Sequence, residues 1–193
     1  MTKEKPRVLI DVDGVLRDFV NSLIRVYRRE YPGHEVRPIT SRKLHEFFPA
    51  GETIYEFWSR RHVKEILEQA PAYPDAVEAL HRWKDRFEIV IVTAQDDYGR
   101  GPTLVWLGQH DVPTGEIHIT GEKHRIPGLA LLDDFPANLE AFEKTGRLAV
   151  CLDQPWNQEW PGPRVKTVDE FFRYVSTYVG EWEGDLDSDM LLA

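Results

Sequence analysis

The segment RVLIDVDGVLRD, residues 7–18, constrains the fold of this chain more than any other part of the sequence. Its apolar run ends in Asp11 and Asp13, after which Gly14 and a helix-like pattern follow. Because side chains alternate along a strand, the two carboxylates are predicted to lie on the same side. Two carboxylates in one small space repel each other and require a proton or a cation, and Mg²⁺ favours such oxygen ligands. Taken alone, the segment is also compatible with a strand that ends in an ordinary Asp-Gly turn.

Three further apolar runs end in residues that carry a hydroxyl or a charge. EIVIVTA reaches Thr93, EIHITGEK reaches Lys123, and LALLDD reaches Asp133 and Asp134. The carboxyl ends of parallel strands lie along one edge of a sheet, where α/β proteins bind their ligands. We therefore expect these side chains to converge on one crevice.

The alternation of strands and helices predicts a doubly wound, Rossmann-like α/β fold with a parallel sheet. Near-continuous apolar runs predict strands covered on both faces, at residues 7–12, 88–93, 116–120, 129–132 and 147–152. Helical spacing of apolar residues predicts helices over 75–87, 136–145 and 169–182.

The interval between the first two strands is too long for an ordinary crossover. Residues 15–74 contain stretches of helical periodicity, so we predict a small helical cap inserted after the first strand. The core domain would then comprise residues 1–14 and 75–182. The acidic segment 183–193 is weakly patterned and is predicted to be a frayed tail.

Charge and composition argue against several classes of protein. The 193 residues carry a net charge of −9, which opposes binding to a nucleic-acid polymer, because phosphates are held mainly by Lys and Arg. No apolar run reaches the roughly 20 residues that a membrane span needs, and the N-terminus lacks the apolar stretch of a signal peptide. The single cysteine, Cys151, permits no internal disulfide and fits a cytoplasmic location.

The order of the strand-end residues resembles the four motifs of the haloacid dehalogenase superfamily of phosphotransferases. Asp11-Val12-Asp13-Gly14 is similar to the first motif, and Thr93, Lys123 and Asp133-Asp134 follow as the second, third and fourth. More narrowly, the chain resembles the 5'(3')-deoxyribonucleotidases in the segments DVDGVLRDF, LLDDFPANLEAF and DQPWN and in Trp106. The resemblance covers nearly the whole chain, and it implies a phosphatase whose cap closes over the crevice.

The resemblance also implies roles for the carboxylates. A carboxylate that attacks a phosphate ester forms an aspartyl phosphate, which water then hydrolyses. Asp11 would make this attack, and Asp13 would transfer the protons, while its backbone carbonyl binds the metal. Mg²⁺ would be held by Asp11, Asp13 and Asp134. Because neighbouring residues of a strand point to opposite sides, only one of Asp133 and Asp134 is expected to touch the metal, and the resemblance selects Asp134.

The remaining motif residues would supply positive charge and hydrogen bonds. Lys123 is expected to neutralise the nucleophile and the transferring phosphoryl group. Thr93, with the backbone of Ala94 and Gln95, is expected to donate hydrogen bonds to phosphate oxygens. Asp133 would orient the groups around it.

Two sets of residues bear on the substrate. Phe19 lies eight residues after the nucleophile, where the deoxyribonucleotidases have an aromatic residue that packs on the base. Trp58, together with Phe57 and His62, could complete this pocket, although helical spacing also suits them to the interior of the cap.

One position departs from the pattern of these nucleotidases. They carry a second phosphate-binding Lys three residues before the Trp, and this chain has Thr103 there. Arg100 lies close by in the sequence and is a candidate to replace that Lys.

These features predict a Mg²⁺-dependent phosphomonoesterase that acts on a 5'-nucleoside or 5'-deoxynucleoside monophosphate. Another small phosphate ester, such as a sugar phosphate, is the first alternative. A catalytically silent binding protein on the same scaffold is the second. A nucleic-acid end-processing phosphatase is the third, and the net charge of −9 disfavours it. The oligomeric state stays open.

Overall fold

Among the described residues, six parallel strands form one sheet in the order β3-β2-β1-β4-β5-β6. The computed structural model describes residues 5–190, with side chains described as far as Gly180. The strands are β1 Arg7–Ile10, β2 Glu88–Thr93, β3 Glu116–Ile119, β4 Ala130–Asp133, β5 Leu148–Leu152 and β6 Arg164–Val165. The predicted doubly wound α/β fold is confirmed. The sequence prediction omits β6, since two residues are too few to show a periodic pattern.

Seven α-helices accompany the sheet within the part of the chain that the structure describes. They are α1 Phe19–Glu30, α2 Thr53–Glu56, α3 Val63–Glu68, α4 Ala76–Trp83, α5 Asp97–Gln109, α6 Pro136–Glu143 and α7 Val168–Met190. Alternate residues of β1 pack on opposite faces of the sheet, which explains why the strand is apolar throughout. Val8 and Ile10 share a cluster with residues of α4, α5 and α7, whereas Leu9 packs with Leu139 and Phe142 of α6.

The strand order places a binding crevice beside β1. The chain adds β2 and β3 on one side of β1 and then returns to place β4 on the other side. Ligands of open α/β sheets bind at the carboxyl ends of the strands where the order reverses in this way. Asp11 directly follows β1, and Asp133 is the last residue of β4.

Strand β1 ends at Ile10, two residues before the predicted end. Asp11 still donates its backbone N–H to the carbonyl of Leu132 (3.0 Å). The carbonyl of Val12 then accepts from the N–H of Arg17 (2.8 Å), which turns the chain away from the sheet. Strand alternation therefore does not fix the relative directions of Asp11 and Asp13.

Residues 15–74 hold helices α1 to α3, a 3₁₀ turn at Leu44–Glu46 and a π-helical turn at Phe57–Arg61. This inserted segment has a hydrophobic cluster separate from those of the sheet. Tyr27 lies within the cluster, with its ring edge-to-face against Phe48 and Phe57 at centroid distances of 4.9 and 5.3 Å. The helical nature of the segment agrees with its periodicity, and its action as a cap stays a prediction.

The C-terminal helix is longer than predicted. Helix α7 continues to Met190, so the backbone of residues 183–190 is helical, and residues 191–193 lie outside the described part of the chain. The flexibility of the segment 183–193 stays a prediction.

Candidate active site

A cavity of about 560 Å³ lies between the carboxyl edge of the sheet and the inserted segment. Its lining includes nearly all of the predicted site residues, namely Asp11, Asp13, Phe19, Trp58, Thr93, Ala94, Gln95, Lys123 and Asp134. Asp133 is fully buried behind this lining. The structure thus brings together residues from five separate parts of the sequence.

Lys123 lies between two carboxylates. The 3₁₀ turn that follows β3 begins at Lys123 and buries its side chain, which is 2% exposed. Its Nζ lies 2.8 Å from Oδ1 of Asp11 and 2.6 Å from Oδ2 of Asp133. Burial alone would lower the pKa of Lys123, but the two carboxylates raise it above its ordinary value. The side chain is therefore a fixed cation beside the predicted nucleophile.

Asp133 is held by several donors besides Lys123. Its Oδ1 accepts from the backbone N–H of Phe135 (2.8 Å), and its Oδ2 accepts from the amide of Asn138 (3.0 Å). These bonds tie the end of β4 to the start of α6. Asp133 can thereby orient Lys123.

Asp134 has one satisfied oxygen and one unsatisfied oxygen. Oδ2 accepts from Nε1 of Trp156 (2.7 Å) and from Nη1 of Arg42 (2.9 Å). Oδ1 is buried and has no hydrogen-bond partner among the described residues. Gly14, at φ 82°, makes room for this carboxylate, because a Cβ at that position would lie 2.2 Å from Oδ2.

The crowded carboxylates are costly to ionise. Burial raises the pKa of Asp11 to about 8. The positive charge of Lys123 lowers this pKa, whereas the negative charges of Asp133 and Asp134 raise it further. Burial likewise raises the pKa of Asp134 to about 6, against the lowering effect of Arg42. The site is therefore short of positive charge.

The residues present fit a divalent cation. One carboxylate oxygen from each of Asp11, Asp133 and Asp134 lies within 4.8 Å of the others. The unsatisfied Oδ1 of Asp134 is a hard oxygen donor of the kind that Mg²⁺ prefers. Both members of the Asp pair supply an oxygen to this cluster, since β4 ends at Asp133 and strand alternation does not extend to Asp134. The side chain of Asp13 lies outside the cluster.

Asp13 is held by Arg17 and Gln95. Arg17 donates from Nε to Oδ1 (2.7 Å) and from Nη2 to Oδ2 (2.9 Å), and Gln95 donates from its side-chain amide to Oδ2. Arg17 is fully buried, and it also donates to the carbonyl of Leu67 and to Oγ1 of Thr103 (3.2 and 3.0 Å). A single guanidinium thus links Asp13 to the inserted segment and to α5.

Thr93 ends β2 with its side chain buried. Ala94 and Gln95 follow it along the cavity wall. The side chain of Gln95 reaches Asp13. The role of these three residues toward phosphate stays a prediction.

Arg100 lies outside the lining of the cavity. Its side chain is 55% exposed, pairs with Asp97 at 3.4 Å, and is not among the groups that line the cavity. Thr103 is buried and accepts its hydrogen bond from Arg17. Helix α5 therefore sends no basic side chain into the cavity.

Aromatic rings line another part of the cavity. Phe19 and Trp58 meet edge-to-face with ring centroids 5.2 Å apart, and Tyr98 lies 5.5 Å from Trp58 in the same manner. All three residues line the cavity. Phe57 and His62 do not, since Phe57 is buried in the cluster of the inserted segment and packs on His62.

Sequence reasoning missed several groups at this site. Arg17 lies inside the segment DVDGVLRDF, and Trp156 lies inside DQPWN. Both segments carry the resemblance to the nucleotidases, so the sequence contains a signal for these two residues. Arg42 and Tyr98 lie in segments without a motif. Their positions depend on how the inserted segment and α5 pack against the sheet.

Solved structures of two other proteins are similar to this chain. A haloacid dehalogenase-like family hydrolase of Streptococcus pneumoniae has a TM-score of 0.63 at 12% identity, with 89% of this chain and 98% of that chain covered. A HAD phosphatase of Thermococcus onnurineus has a TM-score of 0.59 at 18% identity, with 88% and 97% covered. The fold of this chain is thus similar to that of haloacid dehalogenase-like proteins.

The family model described as "5' nucleotidase, deoxy (Pyrimidine), cytosolic type C protein" matches residues 5–174, and the chain belongs to this family. A protein of Halalkalibacterium halodurans that carries the provisional name of a nucleotidase is 24% identical over 189 residues, which is 93% of this chain and 95% of that protein. The chain is accordingly a phosphoric monoester hydrolase of the nucleotidase type. Within the described residues, the structure contains no helix that is long and apolar enough to span a membrane.

Proposed function

We propose that this protein is a Mg²⁺-dependent 5'-nucleotidase that hydrolyses nucleoside or deoxynucleoside monophosphates through an aspartyl phosphate on Asp11. The observation that carries the proposal is the composition of the cavity. One part combines the carboxylates with Lys123 and Thr93, and another part holds the rings of Phe19 and Trp58. A phosphate monoester that carries a planar base needs both surfaces.

The chain's own residues account for each covalent step. Lys123 holds Oδ1 of Asp11 at 2.8 Å, which orients the carboxylate for attack on phosphorus. As the Asp11–phosphorus bond forms, the ester P–O bond breaks, and the leaving alcohol takes a proton from Asp13. Water then attacks the aspartyl phosphate and gives its proton to Asp13. This step releases inorganic phosphate and restores the carboxylate of Asp11.

Asp11 and Asp134, with the backbone carbonyl of Asp13, are the proposed ligands of Mg²⁺. When bound there, Mg²⁺ would neutralise the crowded carboxylates and the charge of the phosphoryl group. The unsatisfied Oδ1 of Asp134 supports this assignment. Asp133 is not assigned as a ligand, because its two oxygens already accept hydrogen bonds from Lys123, Phe135 and Asn138.

The aromatic part of the cavity supports a nucleotide as substrate. The cavity volume of about 560 Å³ lies within the range of roughly 300–1,000 Å³ that small-molecule sites occupy. Stacking of a base on an aromatic ring contributes about 1–3 kcal/mol. Phe19 follows the nucleophile closely in the sequence and lines the same cavity, so one ligand can contact both.

Release of phosphate from a panel of substrates tests the proposal. The panel contains 5'- and 3'-nucleotides in ribose and deoxyribose forms, sugar phosphates and a simple aliphatic phosphate, each with Mg²⁺ or with a chelator. We expect the highest kcat/KM with a 5'-nucleotide and loss of activity with the chelator. Asp11→Asn serves as the control for contaminating phosphatases, since an amide is a far poorer nucleophile.

The other outcomes identify which part of the proposal is wrong. Preference for a sugar phosphate would overturn the assignment of a nucleotide as substrate, but it would not contradict the aspartyl phosphate mechanism. Full activity with the chelator would overturn the metal assignment. Release of phosphate from no member of the panel would favour a binding protein on the same scaffold.

A further inference from the structure

The inserted segment sends one basic side chain into the cavity. Among the described residues that line the cavity, only Lys123 and Arg42 carry a positive charge. Arg42 lies in an irregular stretch between α1 and the 3₁₀ turn at Leu44–Glu46. Its side chain is 46% exposed, and its guanidinium lies 4.7 Å from the ring centre of Phe135, which also lines the cavity.

The other two basic groups near the cavity are buried, and each makes polar contacts with at least two partners. Lys123 is 2% exposed and bridges Asp11 and Asp133. Arg17 is fully buried, does not line the cavity, and directs its donors to Asp13 and the groups around it. Arg42 is therefore the cation with most freedom to meet an incoming anion.

If Arg42 moves away from Asp134, that carboxylate loses a positive charge but keeps a hydrogen-bond donor on Oδ2. The bond from Nη1 of Arg42 ends on Oδ2 of Asp134, and the same oxygen accepts from Nε1 of Trp156 at 2.7 Å. If the guanidinium moves, Oδ2 keeps a buried donor. A guanidinium offers planar paired donors that match the oxygens of a phosphate.

We propose that Arg42 is the second phosphate-binding cation of this site, delivered by the inserted segment to the phosphate of the substrate. It would replace the basic residue that α5 lacks at Thr103. In the structure, Arg42 pairs with Asp134. Arg42 then competes with a metal ion for the charge of Asp134 and binds phosphate once the substrate enters. This inference rests on the proposed function, because it assigns the phosphate to the cavity that Asp11 lines.

Binding of inorganic phosphate tests the inference separately from turnover. Isothermal titration calorimetry gives the Kd of phosphate in the presence of Mg²⁺ for the wild-type protein and for Arg42→Met, which keeps an apolar side chain over Phe135. We expect the Kd to rise about 10-fold or more, as for the loss of a charge-assisted hydrogen bond. Lys43→Met is the matched control, since Lys43 is 71% exposed and lies outside the cavity lining.

Binding of Mg²⁺ alone is a second measurement, in which Arg42→Met is not expected to lose affinity as it does for phosphate. If Arg42 competes for Asp134, Arg42→Met binds Mg²⁺ at least as tightly as the wild-type protein. A residue that merely supports Asp134 would make Mg²⁺ binding weaker on removal. Arg42→Gln gives the same comparison if Arg42→Met does not fold.

An unchanged Kd for phosphate in the Arg42 variant, or an equal change in Lys43→Met, would overturn the inference. Both results are independent of the substrate panel. A protein that hydrolyses no nucleotide yet loses phosphate affinity on Arg42→Met would contradict the proposed function and support the role of Arg42.

Discussion

Arg17 holds Asp13 through two parallel hydrogen bonds of 2.7 and 2.9 Å, one to each carboxylate oxygen. The guanidinium is fully buried and also lies over the ring of Trp106 at 5.4 Å. An Arg in such a fork cannot be replaced by Lys without losing the paired geometry. Arg17 is therefore expected to fix Asp13, the carboxylate that we propose transfers the protons.

We predict that Arg17→Lys lowers kcat about 10-fold or more while KM changes less than about 3-fold, because the positive charge stays and the paired geometry is lost. Steady-state kinetics with the best substrate of the panel measures this split. Thermal unfolding provides the control for folding. A rise in KM with unchanged kcat would show that Arg17 serves binding rather than proton transfer.

The two members of the Asp pair are expected to respond differently to substitution. Asp134→Asn removes the oxygen that has no partner in the described structure, so the Mg²⁺ concentration for half-maximal activity should rise strongly. Asp133→Asn should raise it less and should instead lower stability, because Lys123 loses a partner at 2.6 Å. Activity against Mg²⁺ concentration, with melting temperatures alongside, measures both effects. The reverse ranking for Mg²⁺ would contradict the assignment of Asp134.

Stability of the metal-free protein is expected to fall as the pH rises from about 4 to about 8. Burial raises the pKa of Asp11 from 3.8 to about 8 and that of Asp134 to about 6. In this range the folded protein therefore holds protons that the unfolded chain has lost, so each rise in pH favours unfolding.

Thermal unfolding with a chelator across this pH range measures the effect, and each kcal/mol corresponds to about 2–4 °C for a protein of this size. Asp11→Asn, which removes the titrating group, should show a shallower slope. A melting temperature that rises steadily between pH 4 and pH 8 in the wild-type protein would refute the prediction.

Phe19→Ala should weaken turnover of nucleotides far more than turnover of a small aliphatic phosphate. Loss of one stacking contact of about 1–3 kcal/mol corresponds to roughly 5- to 150-fold in kcat/KM for the nucleotide. The aliphatic phosphate is the internal control, because it has no base to stack. Equal losses for both substrates would mean that Phe19 only supports Trp58, against which it packs at 5.2 Å.

The sequence predicts those parts of the site that are local to strand ends. Asp11, Thr93 and Lys123 could be assigned because each closes or closely follows an apolar run, and parallel strands bring such ends together. The apolar runs themselves predict the strands of the sheet, apart from β6, which has only two residues.

The sequence does not predict contacts that depend on tertiary packing. Arg42 lies 92 residues from Asp134, and nothing in the irregular stretch around it marks a functional group. Arg17 is visible in a motif, but its burial against Thr103 follows only from the packing of α5. Arg100 is visible in the sequence as a candidate replacement cation, but its half-exposed side chain and its pairing with Asp97 follow only from the folded structure.

The identity of the residue that carries the phosphoryl group tests the account most directly. Beryllium trifluoride mimics an aspartyl phosphate, so a crystal structure of the protein with Mg²⁺ and this anion shows the nucleophile. We predict that beryllium is bonded to a carboxylate oxygen of Asp11, beside Nζ of Lys123. Beryllium bonded to Asp13, Asp133 or Asp134, with Asp11 unmodified, would contradict the mechanism.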